Sequence, residues 1–420
     1  MTHDISHRDQ LSVTTTTSME SPLYPMPKGV HAIPADELDL RSDAEVDAAL
    51  LNPLPPSSSS EKNIWLFWHS GYSTMHPYTQ RTVRTYHRRF SKKGWTVRVV
   101  DRAPNSPCNV ANFLNLHDPD NFPQAFRDGT ITGTYALQHT SDLVRWPLLL
   151  KYGGVYVDVG LMPIGDLDRL WDATVGDPGS RWEILSNNAG PPDDYDLTNY
   201  FLCARKDNPV FQRCHRLLLA LWAENGGKTS TEGMHKSALL RGLPLLGRNL
   251  SDQESQDLTD YIIQGQVMRM VLSSVDDEDG WDGPEYVTKH IYALEYMVGS
   301  QLINEMTAWD GAKAFELMSL KLPVGPAETE TSDQKLAREI VEACLSRSFS
   351  FKLAHGMIIQ VLGQTLGSLW RAHPGSDDIP GTYAHWLRYG MLNWSQDEIP
   401  EPMEFVRIAP VKTGPLFKAN

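Results

Sequence analysis

Residues His139–Leu161 read HTSDLVRWPLLLKYGGVYVDVGL, and the order of features in this stretch decides the fold. Ser141-Asp142-x-x-Arg145 comes first, and apolar Leu143, Val144, Leu148, Leu149 and Leu150 recur at helical spacing. Gly153 and Gly154 then supply the left-handed backbone that ends a helix. Val155, Tyr156, Val157 and Asp158 follow as a β-branched and aromatic strand that closes on a carboxylate. α/β sheets open to ligands at the C-terminal ends of their strands, so this position puts Asp158 at a binding edge. Asp142 and Arg145 are three residues apart and share one helix face. Pro147 removes a backbone hydrogen bond inside that helix and predicts a kink at Arg145–Pro147. The bend either aims Arg145 into a pocket or is simply tolerated.

Upstream, Ile64, Trp65, Leu66, Phe67 and Trp68 form a continuous apolar run, the mark of a strand buried on both faces, with a polar loop at His69-Ser70-Gly71 behind it. A basic helix over Tyr78–Phe90 and an alternating strand over Trp95–Val100 complete a β-α-β unit. Downstream, strands are predicted at Trp182–Ser186 and Tyr200–Ala204, and a helix from Pro209 to Ala223. Beyond Thr231 the pattern is mainly helical, including Val287–Leu302, Gln334–Ser346 and Phe351–Trp370. Strands alternating with helices in the first half argue for an α/β sheet with a helical C-terminal cover.

Residues 1–62 carry Thr14–Thr17, prolines at 53, 55 and 56, and Ser57–Ser60, too polar a composition to offset ordering entropy. The predicted organisation is a disordered lead over 1–62 with a short helix near Asp43–Leu51, a ligand-binding core over 63–230, and a mainly helical part over 231–420 packed on it.

The 420 residues, 41% of them hydrophobic, can bury a large core and exclude a small binding module. A formal charge of −14 disfavours nucleic acid as a partner. The first thirty residues lack a secretory signal, and no apolar run reaches the roughly 20 residues that span a bilayer, so a soluble cytoplasmic protein with no integral membrane anchor is expected. Cys108, Cys203, Cys214 and Cys344 have no close spacing, which argues against a disulfide framework or a zinc site and for a reducing compartment. Two motifs fail on register. Gly226-Gly227-Lys228-Thr229 has Trp222 where a P-loop needs its first glycine, and the acidic run Asp276–Asp282 has Val275 where a calcium loop needs its first ligand.

Ser141-Asp142-x-x-Arg145 with Lys151-Tyr152-Gly153-Gly154-Val155-Tyr156-Val157-Asp158 resembles the central motif of the glycosyltransferases related to capsular polysaccharide synthesis proteins. It is also similar to the sugar-transferring family containing DXD, a group that includes yeast-type mannosyltransferases and the large clostridial glucosylating toxins. Ile64–Trp68 resembles the first strand of that family, and Leu197–Ala204 with Asn208-Pro209 resembles the capsular subgroup's segment after the sugar pocket.

The resemblance implies a GT-A type fold, a doubly wound sheet with a single nucleotide-sugar site, and a nucleoside-diphosphate sugar as donor, UDP-sugar favoured. Its members mostly retain anomeric configuration. It further implies that Trp68 stacks on the base, that Asp142 accepts from donor hydroxyls, and that Arg145 reaches the same sugar or its phosphate. Asp158 becomes the first aspartate of the DXD, touching the ribose and a divalent Mn²⁺ or Mg²⁺. Plainer alternatives stand beside these roles: Trp68 as a core aromatic, Asp142 with Arg145 as a helix ion pair, Asp158 as a strand-end cap. Gly160 replaces the second aspartate and offers no ligand atom, which leaves the metal open and gives His, Asp, Arg or Lys of the C-terminal half a part in neutralising phosphates. The expected function is glycosyl transfer to an unknown hydroxyl acceptor, a secondary metabolite or polysaccharide. The alternatives are a degenerate nucleotide-sugar-binding protein and another tailoring enzyme of small-molecule biosynthesis on the same fold.

Overall fold

The computed structural model describes residues 23–418 apart from Arg248, Val324 and 326–328. Its centre is a six-stranded sheet of β1 (Asn63–Phe67), β2 (Thr96–Val100), β3 (Gly154–Val157), β4 (Ile184–Asn188), β5 (Leu197–Ala204) and β6 (Ile291–Glu295). Their spatial order is β6-β4-β5-β3-β1-β2. β1 pairs in parallel with β2 and β3, and β6 in parallel with β4, whereas β5 runs antiparallel between β3 and β4. The sheet is therefore mixed, and its five codirectional strands end along one edge.

Period-two alternation splits the strands between two cores. Trp65, Phe67, Tyr156, Leu202 and Ala293 face the helices Ala136–Tyr152 (α2), Pro209–Ala223 (α3) and Ile263–Leu272 (α4). Ile64, Leu66, Val155, Val157 and Leu294 face the helix Pro77–Phe90 (α1), which buries Val83, Tyr86 and Phe90 against them. β1 is buried along its whole length, as its unbroken apolar run requires.

The double glycine fixes the turn from α2 into β3. Gly153 caps α2 at φ 64° and Gly154 opens β3 at φ 100°, and a Cβ on Gly154 would collide with the carbonyl oxygen of Asn63. Trp65, wholly buried, donates its indole N–H to the Gly153 carbonyl at 3.0 Å and so ties the turn to β1. α2 itself runs unbroken through Pro147.

Several expectations change. Residues 1–22 of the lead lie outside the described residues, but 23–62 are ordered. Val30–Ala32 pairs antiparallel with Trp394–Gln396, and Asp43–Leu51 is a helix with a Ser42 capping box that buries Val46 and Leu50. A few well-placed apolar residues, Tyr24 stacked on Trp386 among them, offset the polar composition through contacts distant in sequence. The segment read as one helix over Val287–Leu302 instead contains β6: Ile291 and Ala293 serve one core, Tyr292 and Leu294 the other. The sheet thus crosses the expected boundary at residue 230. Phe351–Trp370 is likewise not one helix. Ser350–Lys352 pairs antiparallel with Leu161–Pro163, and Gly356 and Gly363, both at positive φ, bound the helix Met357–Leu362 ahead of Leu366–Ala372. Among the described residues no helix is long and apolar enough to cross a membrane. All four cysteines are free and buried.

Candidate active site

α2 leads into β3, and this brings Asp142, Arg145 and Asp158 together at the edge where the parallel strands end. Arg145 is buried and forms the hub. Its Nη2 lies 2.7 Å from Asp142 Oδ1 and 3.5 Å from Asp158 Oδ1, and its Nη1 donates to the Asn199 carbonyl at 2.5 Å. The guanidinium sits over the Tyr156 ring at 4.6 Å, and the Tyr156 hydroxyl shares a 2.6 Å hydrogen bond with Ser141 Oγ. Planar guanidinium, aromatic floor and two carboxylates hold one another in a single geometry.

Asp142 is gripped from a second side, because Gln264 of α4 donates to its carbonyl at 2.9 Å and accepts from Asn199 at 3.3 Å. Asp158 continues the β3–β5 ladder by donating its N–H to the Tyr200 carbonyl at 3.0 Å. Its Oδ2 accepts from Lys352 Nζ at 2.7 Å, and that ammonium lies 5.3 Å from the Tyr200 ring centroid.

The electrostatics of the two carboxylates diverge. Burial pushes Asp142 up to about 6 against the pull of Arg145, with Asp158 adding to the rise. Burial pushes Asp158 upward too, but Lys352 and Arg145 outweigh it and hold that carboxyl below its usual range. Arg145 loses solvation but gains more from Asp142 and Asp158, so it stays the cation.

Trp68 follows β1 on the same edge, half-buried, and donates its indole N–H to Thr74 Oγ1 at 3.1 Å. An aromatic chain leads from it toward Asp158. His76 meets Trp68 edge-on at 5.9 Å and stacks on Tyr78 at 6.1 Å, and the Tyr78 hydroxyl shares a 2.8 Å hydrogen bond with His355 Nε2. Burial first, then Lys352 and Arg371, push His355 down to about 3, so its imidazole is neutral.

The four residues singled out by sequence therefore share one edge of the sheet. Asp142 and Arg145 do form a helix-face ion pair, and the same guanidinium also reaches Asp158. Lys352, His355 and Gln264 were not singled out. They lie roughly one to two hundred positions from the motif, and Phe351-Lys352-Leu353-Ala354-His355 carries no recognisable spacing.

The resemblance brings a divalent ion with it, and the donor set does not fit one. Asp158 faces two cations, and Gly160 has no ligand atom. A Cβ on Gly160 would stand 3.0 Å from the Leu353 carbonyl, whose own N–H donates to the Gly160 carbonyl at 2.8 Å. The Lys352–His355 segment crowds the position a second acid would take. Among the described residues no three His, Cys, Asp or Glu side chains gather in a metal-binding group. Asp158 therefore stands as a carboxylate paired to Lys352 and Arg145.

A family profile described as "Capsular polysaccharide synthesis protein" matches residues 43–229. The O-glycosyltransferase braB of Annulohypoxylon truncatum is 32% identical over 94% of this chain and 93% of its own length. The O-glycosyltransferase PaGT of Phomopsis amygdali is 31% identical over 90% and 93%. Among solved structures, the PaToxG glycosyltransferase aligns at 14% identity over 44% of this chain and 70% of its own, with a TM-score of 0.28, too distant to bear on the fold. A chain that matches this profile, and such relatives over nearly its whole length, belongs to the capsular polysaccharide synthesis family of glycosyltransferases.

Proposed function

We propose that the chain transfers a sugar from a nucleoside-diphosphate sugar, UDP-sugar favoured, to the hydroxyl of a soluble acceptor, on a GT-A type site. Its fungal relatives named O-glycosyltransferases support an oxygen acceptor, and a secondary metabolite is the class we favour. The observation that carries the reading is Arg145 bridging Asp142 and Asp158 at 2.7 and 3.5 Å where the parallel strands end. Two carboxylates there accept from ribose and sugar hydroxyls, and the guanidinium donates to the sugar or its phosphate. Trp68 offers a half-exposed ring to the base.

In this reading the anomeric C–O bond breaks with its electron pair moving to the leaving phosphate, and the acceptor oxygen attacks the oxocarbenium-like carbon. The acceptor attacks on the face from which the phosphate departs, so configuration is retained, and the leaving phosphate takes the acceptor's proton, so no protein base is required. His355, neutral and turned to Tyr78, suits a positioning part.

The test is release of nucleotide from a panel of UDP- and GDP-sugars with hydroxylated acceptors, repeated with Asp142→Ala and Asp158→Ala. Turnover lost in both variants is expected. Donor binding without turnover by the native chain on any acceptor refutes the transfer reading and leaves a nucleotide-sugar-binding protein.

A further inference from the structure

We propose that the ammonium of Lys352 takes the place of a divalent cation at the donor's diphosphate, so that this chain transfers sugar without metal. The inference deepens the donor reading above and rests on it. Three observations converge.

First, the strand Ser350–Lys352 pairs antiparallel with Leu161–Pro163, and the register sets Lys352 opposite Leu161, three residues after Asp158. Second, the ammonium is already at the acid: Nζ is 2.7 Å from Asp158 Oδ2, and the lysine side chain is only 16% exposed. An ammonium has three donors, so two remain for phosphate oxygens after Asp158 takes one. Third, Gly160 lacks the second carboxylate, and Leu353 packs tightly against the place of its Cβ, with the Leu353 carbonyl oxygen at 3.0 Å and the Leu353 Cβ at 3.6 Å. The exchange is thus reciprocal: the segment packed against Gly160, where the acid is missing, delivers the cation.

During transfer the bond from the anomeric carbon to the leaving phosphate oxygen breaks, and both electrons stay on that oxygen. A bond forms from the acceptor oxygen to the anomeric carbon, and the acceptor's proton passes to the phosphate. Nothing is oxidised or reduced. The charge that gathers on the diphosphate is met by Lys352, with Arg145 beside it; preorganised cations of this kind act where charge develops and need no reorganisation.

The experiment uses the full chain stripped with chelator. Binding of UDP and GDP is measured by calorimetry in EDTA and in Mn²⁺, with uridine and guanosine as charge-free controls, for the native protein, Lys352→Met and Lys352→Arg. Native affinity for the diphosphate should change by less than about threefold between EDTA and Mn²⁺. Lys352→Met, which keeps the stem and removes the charge, should weaken the diphosphate by about ten- to a hundredfold while leaving the nucleoside unchanged, and Lys352→Arg should retain most of the affinity. Nucleotide release from the donor sugar should be insensitive to EDTA in the native chain. Diphosphate binding that requires Mn²⁺ overturns the proposal while leaving the donor reading intact. A Lys352→Met variant that binds the diphosphate as the native chain does, or that loses nucleoside and diphosphate equally, also overturns it. Failure of the native chain to bind any nucleoside diphosphate overturns the donor reading itself and this inference with it.

Discussion

Replacing Asp142 by asparagine should make the protein more stable and less active, and the gain should depend on pH with a defined sign. Burial moves the Asp142 carboxyl from 3.8 to about 6 in the folded chain. The folded state therefore prefers the protonated acid, and the contribution of this group to stability is fully present below pH 3.8. It is lost as pH rises through about 6. At 1.36 kcal/mol per pH unit, keeping Asp142 ionised at neutral pH costs the fold about 3 kcal/mol. Asparagine has the shape of the neutral acid and still offers Arg145 an oxygen. Asp142→Asn should therefore gain about 3 kcal/mol above pH 7, which for a chain of this length is about 3 °C in the unfolding midpoint. The gain should shrink toward zero as pH approaches 3.8. Calorimetric scans of both proteins across this range measure it. Donor turnover should fall about tenfold to a hundredfold as a charge-assisted hydrogen bond is lost. The native chain should also lose activity below about pH 6 as Asp142 protonates. An Asp142→Asn protein less stable than the native one, by an amount that does not change with pH, would show that the ion pair with Arg145 dominates and would refute the argument.

Asp158→Asn should behave with the opposite sign: Lys352 and Arg145 hold that carboxyl low, so its contribution is present at neutral pH and lost in acid, and the variant should be destabilised near pH 7 with the deficit fading as pH falls. Trp68→Ala should weaken nucleotide binding by about 1–3 kcal/mol if a base stacks there, read as the change in UDP affinity by calorimetry, with the unfolding midpoint nearly unmoved because the ring is half-exposed. Gly154→Ala combines a positive φ with a collision against the Asn63 carbonyl and should cost about 2–4 kcal/mol, seen as a lowered unfolding midpoint.

What the sequence made legible followed from short-range physics. The β1 run Ile64–Phe67 could only be a strand buried on both faces, and Gly153-Gly154 between an apolar helix and Val155–Val157 left one way to turn. Asp142, Arg145 and Asp158 were legible because helix and strand periods place them locally. The rest depended on contacts distant in sequence. Ile291–Glu295 is compatible with a helix until β4 presents its parallel edge. The lead looked too polar to fold because its apolar partners, Trp386 and Trp394 among them, lie more than three hundred residues away. Lys352 carried no local mark. Only the pairing of Ser350–Lys352 with Leu161–Pro163 shows that the cation stands against the acid.

The family profile ends at residue 229, yet the site does not. Gln264 positions Asp142, Lys352 neutralises Asp158, and His355 closes the aromatic chain from Trp68, all from beyond that point. β6 completes the sheet, and Val30–Ala32 is held to Trp394–Gln396, so the lead and the last hundred residues share one strand pair. The motif around Asp158 supplies negative charge, and the C-terminal half supplies the positive charge that lets it stay ionised. With Gly160 at the place of a second acid, the two carboxylates Asp142 and Asp158 face the two cations Arg145 and Lys352, and the lysine is the one that comes from the C-terminal half. The C-terminal half thus sets the charge balance of this edge, and on the donor reading proposed above a substitution there alters donor binding while Asp142, Arg145 and Asp158 stay the same.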